Sequence, residues 1–322
     1  MPEVIKKRVF ITGAAGFIGS HAARVLLEQG HEVLGFDNFN PYYSVDLKKA
    51  RAALINAPVL QGDIANPNNW QEALADFNPT HFLHLAAQAG VRYSLKHPES
   101  YVHSNIEGFL KVLEWVKDHP HVKLVYASSS SVYGLNSRLP YSVQDRTDQQ
   151  ASFYGVTKKS NELMAQTYKH LYGIHATGLR YFTVYGPWGR PDMALWGFTE
   201  KILKGETIDL YNFGEMQRDF TYIDDIVSGT LAALDYQGET PIFNLGNHAP
   251  VTLKRFAEVI ENALDTKAKV SLQPLQPGDV LATYADISES AKELGFSPKV
   301  SLELGVRNFT AWYKEWVAKG GT

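Results

Sequence analysis

The chain has 322 residues, 44% of them hydrophobic, with a formal net charge of -3 and no cysteine. Such a length accommodates one large α/β unit with a smaller second lobe. The absence of cysteine excludes disulfides, thiolate metal sites and cysteine nucleophiles, and nearly balanced charge without long blocks gives no reason to expect nucleic acid or an anionic membrane as partner.

Small molecules are therefore the expected ligands. Residues 1–8 run directly into a strand pattern and lack the apolar region of a secretory signal. No apolar stretch approaches the roughly 20 residues of a membrane helix. A soluble, cytoplasmic protein is expected.

Apolar runs of strand length recur at 8–12, 32–36, 59–61, 81–85, 123–128 and 175–180, with helical patterns between them. This alternation predicts a Rossmann-type, doubly wound parallel sheet in an α/β fold. Directly after the first strand, Gly13, Gly16 and Gly19 open an amphipathic helix. Small residues there let the backbone approach a pyrophosphate, and the helix N-terminus offers it unpaired N–H groups. A tight turn that needs glycine only for geometry is the competing reading.

The second strand ends at Asp37, with no arginine beside it. A carboxylate there can accept the adenosine-ribose hydroxyls and repels a 2′-phosphate, which points to NAD over NADP. An exposed loop acid is the alternative. Asp63 and Ile64 follow the third strand, where they bracket an adenine ring or form a solvated turn. The segment at about 101–116 reads as a helix with Val102, Ile106, Phe109, Leu110, Leu113, Trp115 and Val116 on more than one face. Packing one side on a sheet leaves apolar surface for a partner subunit.

Ser128 to Ser131 stand at the end of the fifth strand, the carboxyl edge where open α/β sheets place their chemistry. A serine hydroxyl there can share the proton of a reacting alcohol. Tyr154 and Lys158 follow, four apart on one helical face. A phenol with an ordinary pKa near 10 acts as a base at neutral pH only if its anion is stabilised by roughly 3 to 4 kcal/mol, which Lys158 and a positive nicotinamide can supply. An accidental pair on a surface helix is the bland alternative.

After Gly186-Pro187 the pattern turns irregular, the expected lobe boundary. Beyond it, a helix near 198–203, a strand at 208–211, a helix at 226–234, a returning strand at 243–245, a helix at 253–264, a strand at 270–273 and two terminal helices are predicted. The expected division is 1–185 plus 222–247 for the NAD-binding domain and 186–221 plus 248–322 for a discontinuous substrate lobe. Asp224 and Asp225 precede a helical run and read as its caps. His81 and His84, three apart on a strand, face opposite ways and cannot readily share a metal; no metal site is expected. Trp312 and Trp316 read as packing.

The glycine turn, the serine followed by Val132-Tyr133-Gly134 and the Tyr154/Lys158 helix resemble the extended short-chain dehydrogenase/reductases, specifically nucleotide-sugar epimerases. The stretches from His84 to Ser94, Arg180 to Met193 and Arg218 to Asp225 look like UDP-glucuronate 4-epimerases, and the resemblance covers essentially the whole chain. It implies an NAD-dependent isomerase acting through a transient 4-keto sugar, with Tyr154, Lys158 and Ser129 catalytic. Ser130 and Ser131 are the nearest rivals to Ser129. Their hydroxyls stand where related dehydratases carry acids, and without such an acid or base dehydration has no evident catalyst.

The likeness further implies that Phe17, Ile18, Asn38, Leu85, Ala86, Ala87, Gln88, Asn105 and Tyr181 join the glycines, Asp37, Asp63 and Ile64 around NAD. It assigns Arg92, Ser129, Ser130, Thr183, Arg190, Arg218 and Asp279 to a UDP-sugar. Arg92, Thr183 and Arg190 fit a uronate, because a C6 carboxylate calls for charge-assisted donors. Competing readings are a structural ion pair for Arg190, loop ordering for Arg92 and a salt bridge for Arg218. Gln276 stands where many relatives place a second phosphate-binding arginine. A homodimer through the helices at 101–116 and around Tyr154 is also implied. The alternatives are a 4-epimerase for neutral UDP-hexoses and an NAD-binding scaffold without chemistry, although scaffolds usually lose the tyrosine or lysine.

Overall fold

A computed structural model describes residues 6–275 and 280–321. In chain order the first half comprises β1 (Arg8–Thr12), α1 (Phe17–Glu28), β2 (Glu32–Asp37), α2 (Val45–Ala53), β3 (Val59–Gln61), α3 (Gln71–Phe77), β4 (His81–His84), α4 (Val91–Ser94), α5 (Pro98–Tyr101), α6 (Gly108–Asp118), β5 (Lys123–Ser129), α7 (Phe153–Tyr172) and β6 (Ala176–Tyr181). There follow β7 (Thr183–Tyr185), α8 (Ala194–Leu203), β8 (Thr207–Tyr211), β9 (Gln217–Tyr222), α9 (Ile223–Asp235), β10 (Ile242–Leu245), β11 (Pro250–Thr252), α10 (Leu253–Leu264), β12 (Lys269–Gln273), β13 (Ala282–Thr283), α11 (Ser288–Leu294) and α12 (Leu302–Ala318).

Seven strands form one parallel sheet in the order β10-β6-β5-β4-β1-β2-β3. Parallel strands are covered on both faces and read as near-continuous apolar runs, and β1 shows why. Val9 and Ile11 enter the core layer against α1 and α9, while Phe10 enters the opposite layer against α3, α6 and α7. The strand at 242–245 returns to this sheet beside β6. The sheet reverses order between β1 and β4, so their carboxyl ends open the crevice in which such folds bind ligands.

The remaining strands form two small sheets: β11, β9 and β13 with β7 paired to β9, and β12 with β8. The sequence reading had no strand at 183–185, 217–222, 250–252 or 282–283. Three of these have two or three residues, too few for periodicity to register.

The expected helix at 101–116 lies within one uninterrupted helical run, in which α5 passes through a π-helical turn at Val102–Glu107 into α6. Asn105 explains the widened turn. Its amide accepts from Gln88 N (2.8 Å) and donates to Gln88 O and Thr157 Oγ1 (both 3.0 Å), while Asn161 donates to its carbonyl (2.6 Å). A carbonyl engaged by a neighbouring side chain leaves the regular ladder.

Asp224 and Asp225 lie in the first turn of α9, whose N-cap is Tyr222 without a side-chain cap. Asp225 accepts the backbone N–H groups of Lys299 and Val300 instead, at 3.0 and 3.1 Å. Its role is to tie the α11–α12 connection to α9. Trp312 and Trp316 pack around Trp188 at ring distances of 5.1 and 5.3 Å. Among the described residues no helix is long and apolar enough to cross a membrane.

Candidate active site

A cavity of about 980 Å3 runs from the glycine turn after β1, across the carboxyl ends of β5 and β6, to β13. Gly13 has φ +72°, and a Cβ there would lie 2.7 Å from the Ala86 nitrogen. A Cβ on Gly19 would lie 2.2 Å from the Gly13 carbonyl oxygen. Only glycine lets the turn, α1 and the β4 end meet this closely. No side chain caps α1, so its first-turn N–H groups suit an anion. Asp37, buried at the end of β2, accepts Ala15 N–H at 3.0 Å and Phe39 N–H at 2.9 Å. Burial pushes its carboxyl up, and those two bonds and Lys48 act against it. Glycine cradle, open helix end and a carboxylate at the end of β2 together fit NAD.

The chemistry-bearing residues converge where β5 ends. Ser152 caps α7 by accepting Gly155 N–H at 3.1 Å, and Gly173 ends the helix in the left-handed region. Tyr154 therefore sits in the first turn and Lys158 one turn on, both lining the cavity. Ser129, whose Oγ accepts Ser131 N–H at 3.1 Å, lines the cavity with Tyr154. Burial pushes the Tyr154 phenol above its ordinary range, against the pull of Ser129 and Arg190. Lys158 donates to the Ala127 carbonyl at 2.8 Å, and burial lowers its pKa to about 8. The ammonium is directed to the β5 backbone.

Ser128 also lines the cavity, but its hydroxyl donates to Glu162 at 2.7 Å. Glu162 grips Arg180 through two bonds of 2.8 and 2.9 Å, and Arg180 donates to Tyr133, which donates to Asn244. This buried network fixes the end of β5 and hence the rotation of the Ser129 backbone.

Beside the β2–α2 connection, Arg190 pairs with Asp192 through Nε to Oδ1 (3.0 Å) and Nη2 to Oδ2. The Tyr42 hydroxyl also donates to Asp192, at 3.0 Å. Burial works against the Asp192 charge, but Arg190 outweighs it and holds the carboxyl below the usual range. Thr183 on β7 and Arg218 on β9 line the same cavity. Arg92, on α4, lies over the Tyr211 ring at 5.6 Å.

The cavity thus gathers Gly13, Gly16, Phe17, Ile18, Gly19, Asp37, Asn38, Ile64, Leu85, Ala86, Ala87, Gln88, Tyr154, Lys158 and Tyr181 with Arg92, Ser129, Ser130, Thr183, Arg190 and Arg218. Two expected cofactor residues are not among its walls. Asp63 turns outward to His103 at 2.7 Å. Asn105 stands behind Gln88, its amide spent on orienting that backbone. Asp279 and Gln276 lie outside the described residues.

Sequence reasoning missed Tyr42, Asp192 and Arg51. Arg51, with no exposed surface, donates to the carbonyls of Trp188 (2.9 Å) and Gly189 (2.7 Å) and to the Tyr43 hydroxyl (2.7 Å). It thereby ties α2 to the segment that leads into Arg190. A single arginine on a polar helix carries no signal of this. The Arg190-Pro191-Asp192 spacing did offer one, since a charge pair two residues apart closes easily around a proline. His81 and His84 bond to Thr80 and Thr12, and no group able to hold a metal occurs among the described residues.

The family model described as "NAD dependent epimerase/dehydratase family" matches residues 9–246. UDP-glucuronate 4-epimerase 2 of Arabidopsis thaliana is 48% identical over 97% of this chain and 77% of its own length. The crystal structure of UDP-glucuronic acid 4-epimerase from Bacillus cereus, in complex with UDP-glucuronic acid and NAD, superposes with a TM-score of 0.89 at 34% identity, covering 96% of this chain and 99% of that one. UDP-glucose 4-epimerase from Thermotoga maritima, with UDP-glucose, gives 0.88 at 29% identity over the same shares of the two chains.

Proposed function

The chain belongs to the NAD dependent epimerase/dehydratase family, and on that premise we propose that it interconverts UDP-glucuronate and UDP-galacturonate by inversion at C4. The observation that carries this reading is the convergence, in one cavity, of the Tyr154 phenol and Ser129 with Arg190, Thr183 and Arg92. NAD, when bound, would supply an acceptor for the C4 hydride and, once reduced, the donor of the same hydride to the opposite face of the ketone. Gly13, Gly16 and Gly19 would hold its pyrophosphate, Asp37 its ribose.

Tyr154 takes the proton from the 4-hydroxyl and gives it back after the ring has turned over, while Ser129 shares that proton and orients the phenol. Burial pushes the Tyr154 phenol up in the unliganded protein, and positive charge beside it would favour its anion. Lys158, released from Ala127, adds to that charge. Arg218 binds the diphosphate, and Arg190, Thr183 and Arg92 hold the C6 carboxylate, which also restrains the β-keto acid from losing carbon dioxide. Ser130 and Ser131 offer no acid or base for dehydration.

The test is turnover of UDP-glucuronate against UDP-glucose by the purified protein, with products resolved. We expect kcat/KM at least about tenfold higher for the uronate. Equal or reversed preference would refute the uronate assignment. A neutral-hexose reading draws support from Asp192, whose carboxylate meets the charge of Arg190 without any from a substrate.

A further inference from the structure

We propose that Asp192 is a built-in carboxylate that competes with the substrate's own for the Arg190 fork, and so sets how strongly the site prefers a uronate. The inference rests on the uronate reading above. Asp192 takes two parallel N–H bonds from one edge of the Arg190 guanidinium, the bidentate arrangement by which arginine recognises a carboxylate. Both side chains line the cavity and are about a quarter exposed (24% and 26%). An incoming carboxylate on the remaining edge of the guanidinium would stand beside Asp192, where like charges repel. Exchange relieves that repulsion.

Exchange is practicable because Asp192 has a second partner. The Tyr42 hydroxyl donates to Asp192 Oδ2 at 3.0 Å. Tyr42 is itself fixed: its ring lies 4.7 Å from that of Tyr93, and its hydroxyl sits only 2.6 Å from where a Cβ on Gly90 would be. Gly90, at φ +103°, admits this approach. When Arg190 turns to the substrate, Asp192 keeps the Tyr42 bond and is not left unpaired. With a neutral hexose, Arg190 stays on Asp192 and loses nothing. Asp192 therefore weakens uronate binding and removes the penalty that would otherwise exclude neutral sugars.

Calorimetric titration of UDP-glucuronate and UDP-glucose into NAD-loaded Tyr154→Phe protein, in which turnover is expected to fall at least about 100-fold, tests this. Adding Asp192→Asn should tighten UDP-glucuronate roughly tenfold and leave UDP-glucose within about twofold. Adding Tyr42→Phe instead should weaken UDP-glucuronate alone, since exchange then orphans Asp192. Weaker or unchanged uronate binding in Asp192→Asn, or parallel shifts for both sugars in either variant, would overturn the proposal and make Asp192 a brace for Arg190. A parent protein that binds both sugars equally, and in which Arg190→Ala changes neither affinity, would remove the uronate reading itself.

Discussion

Lys158 shows what burial does to a charged side chain before its ligand arrives. Its pKa falls to about 8 from the ordinary 10.5, and burial is the cause. Between those values the unfolded chain holds a proton that the folded chain has released, so stability rises with pH across that window. Below pH 8 the folded protein carries the full cost of a buried ammonium. Urea unfolding of NAD-free protein at pH 7.5 and 9.5 should show a gain on the order of 2 kcal/mol that Lys158→Met lacks. An identical pH response in the two proteins would contradict this. Tyr154→Phe, by contrast, should leave NAD binding intact and cut turnover by at least about 100-fold, measured by product formation.

At the scale of elements, the end of β5 is held from beneath by α7 and β6 through Glu162 and Arg180, both almost fully buried. Burial raises the Glu162 carboxyl, but the Arg180 guanidinium pulls harder and leaves it below its ordinary range. Its contribution is present above the unfolded carboxylate pKa and is lost as pH falls through the folded one. Glu162→Gln strands a buried guanidinium and should cost about 3 to 5 kcal/mol, read as a lower urea midpoint at unchanged slope. The strands and helix that carry this network were legible from the sequence, because β5, β6 and α7 are long and periodic. The pairing of Glu162 with Arg180 was not, since a glutamate inside a helix reads as solvated. The short β7, β11 and β13 went unread for the related reason that two or three residues cannot display alternation.

For the whole molecule, apolar side chains remain uncovered on one side of the α6–α7 layer: Val102 is 38% exposed, Leu110 37%, Val156 41% and Leu163 52%. We propose that a second copy covers them. Light scattering at micromolar concentration should give a dimer mass, and Leu163→Glu should give a monomer; a monomeric parent would contradict the proposal. The sequence by itself determined the parallel sheet, the glycine turn, Asp37 and the Tyr154 helix, since each depends on neighbours within a few residues, where spacing alone sets geometry. Only the tertiary structure decided that Tyr42 meets Asp192 across 150 residues of chain, that Asp63 and Asn105 stand outside the cavity, and that Lys158 rests on a backbone carbonyl. Those outcomes depend on which groups compete for the same donors and acceptors once the lobes have packed, and linear order does not encode that competition.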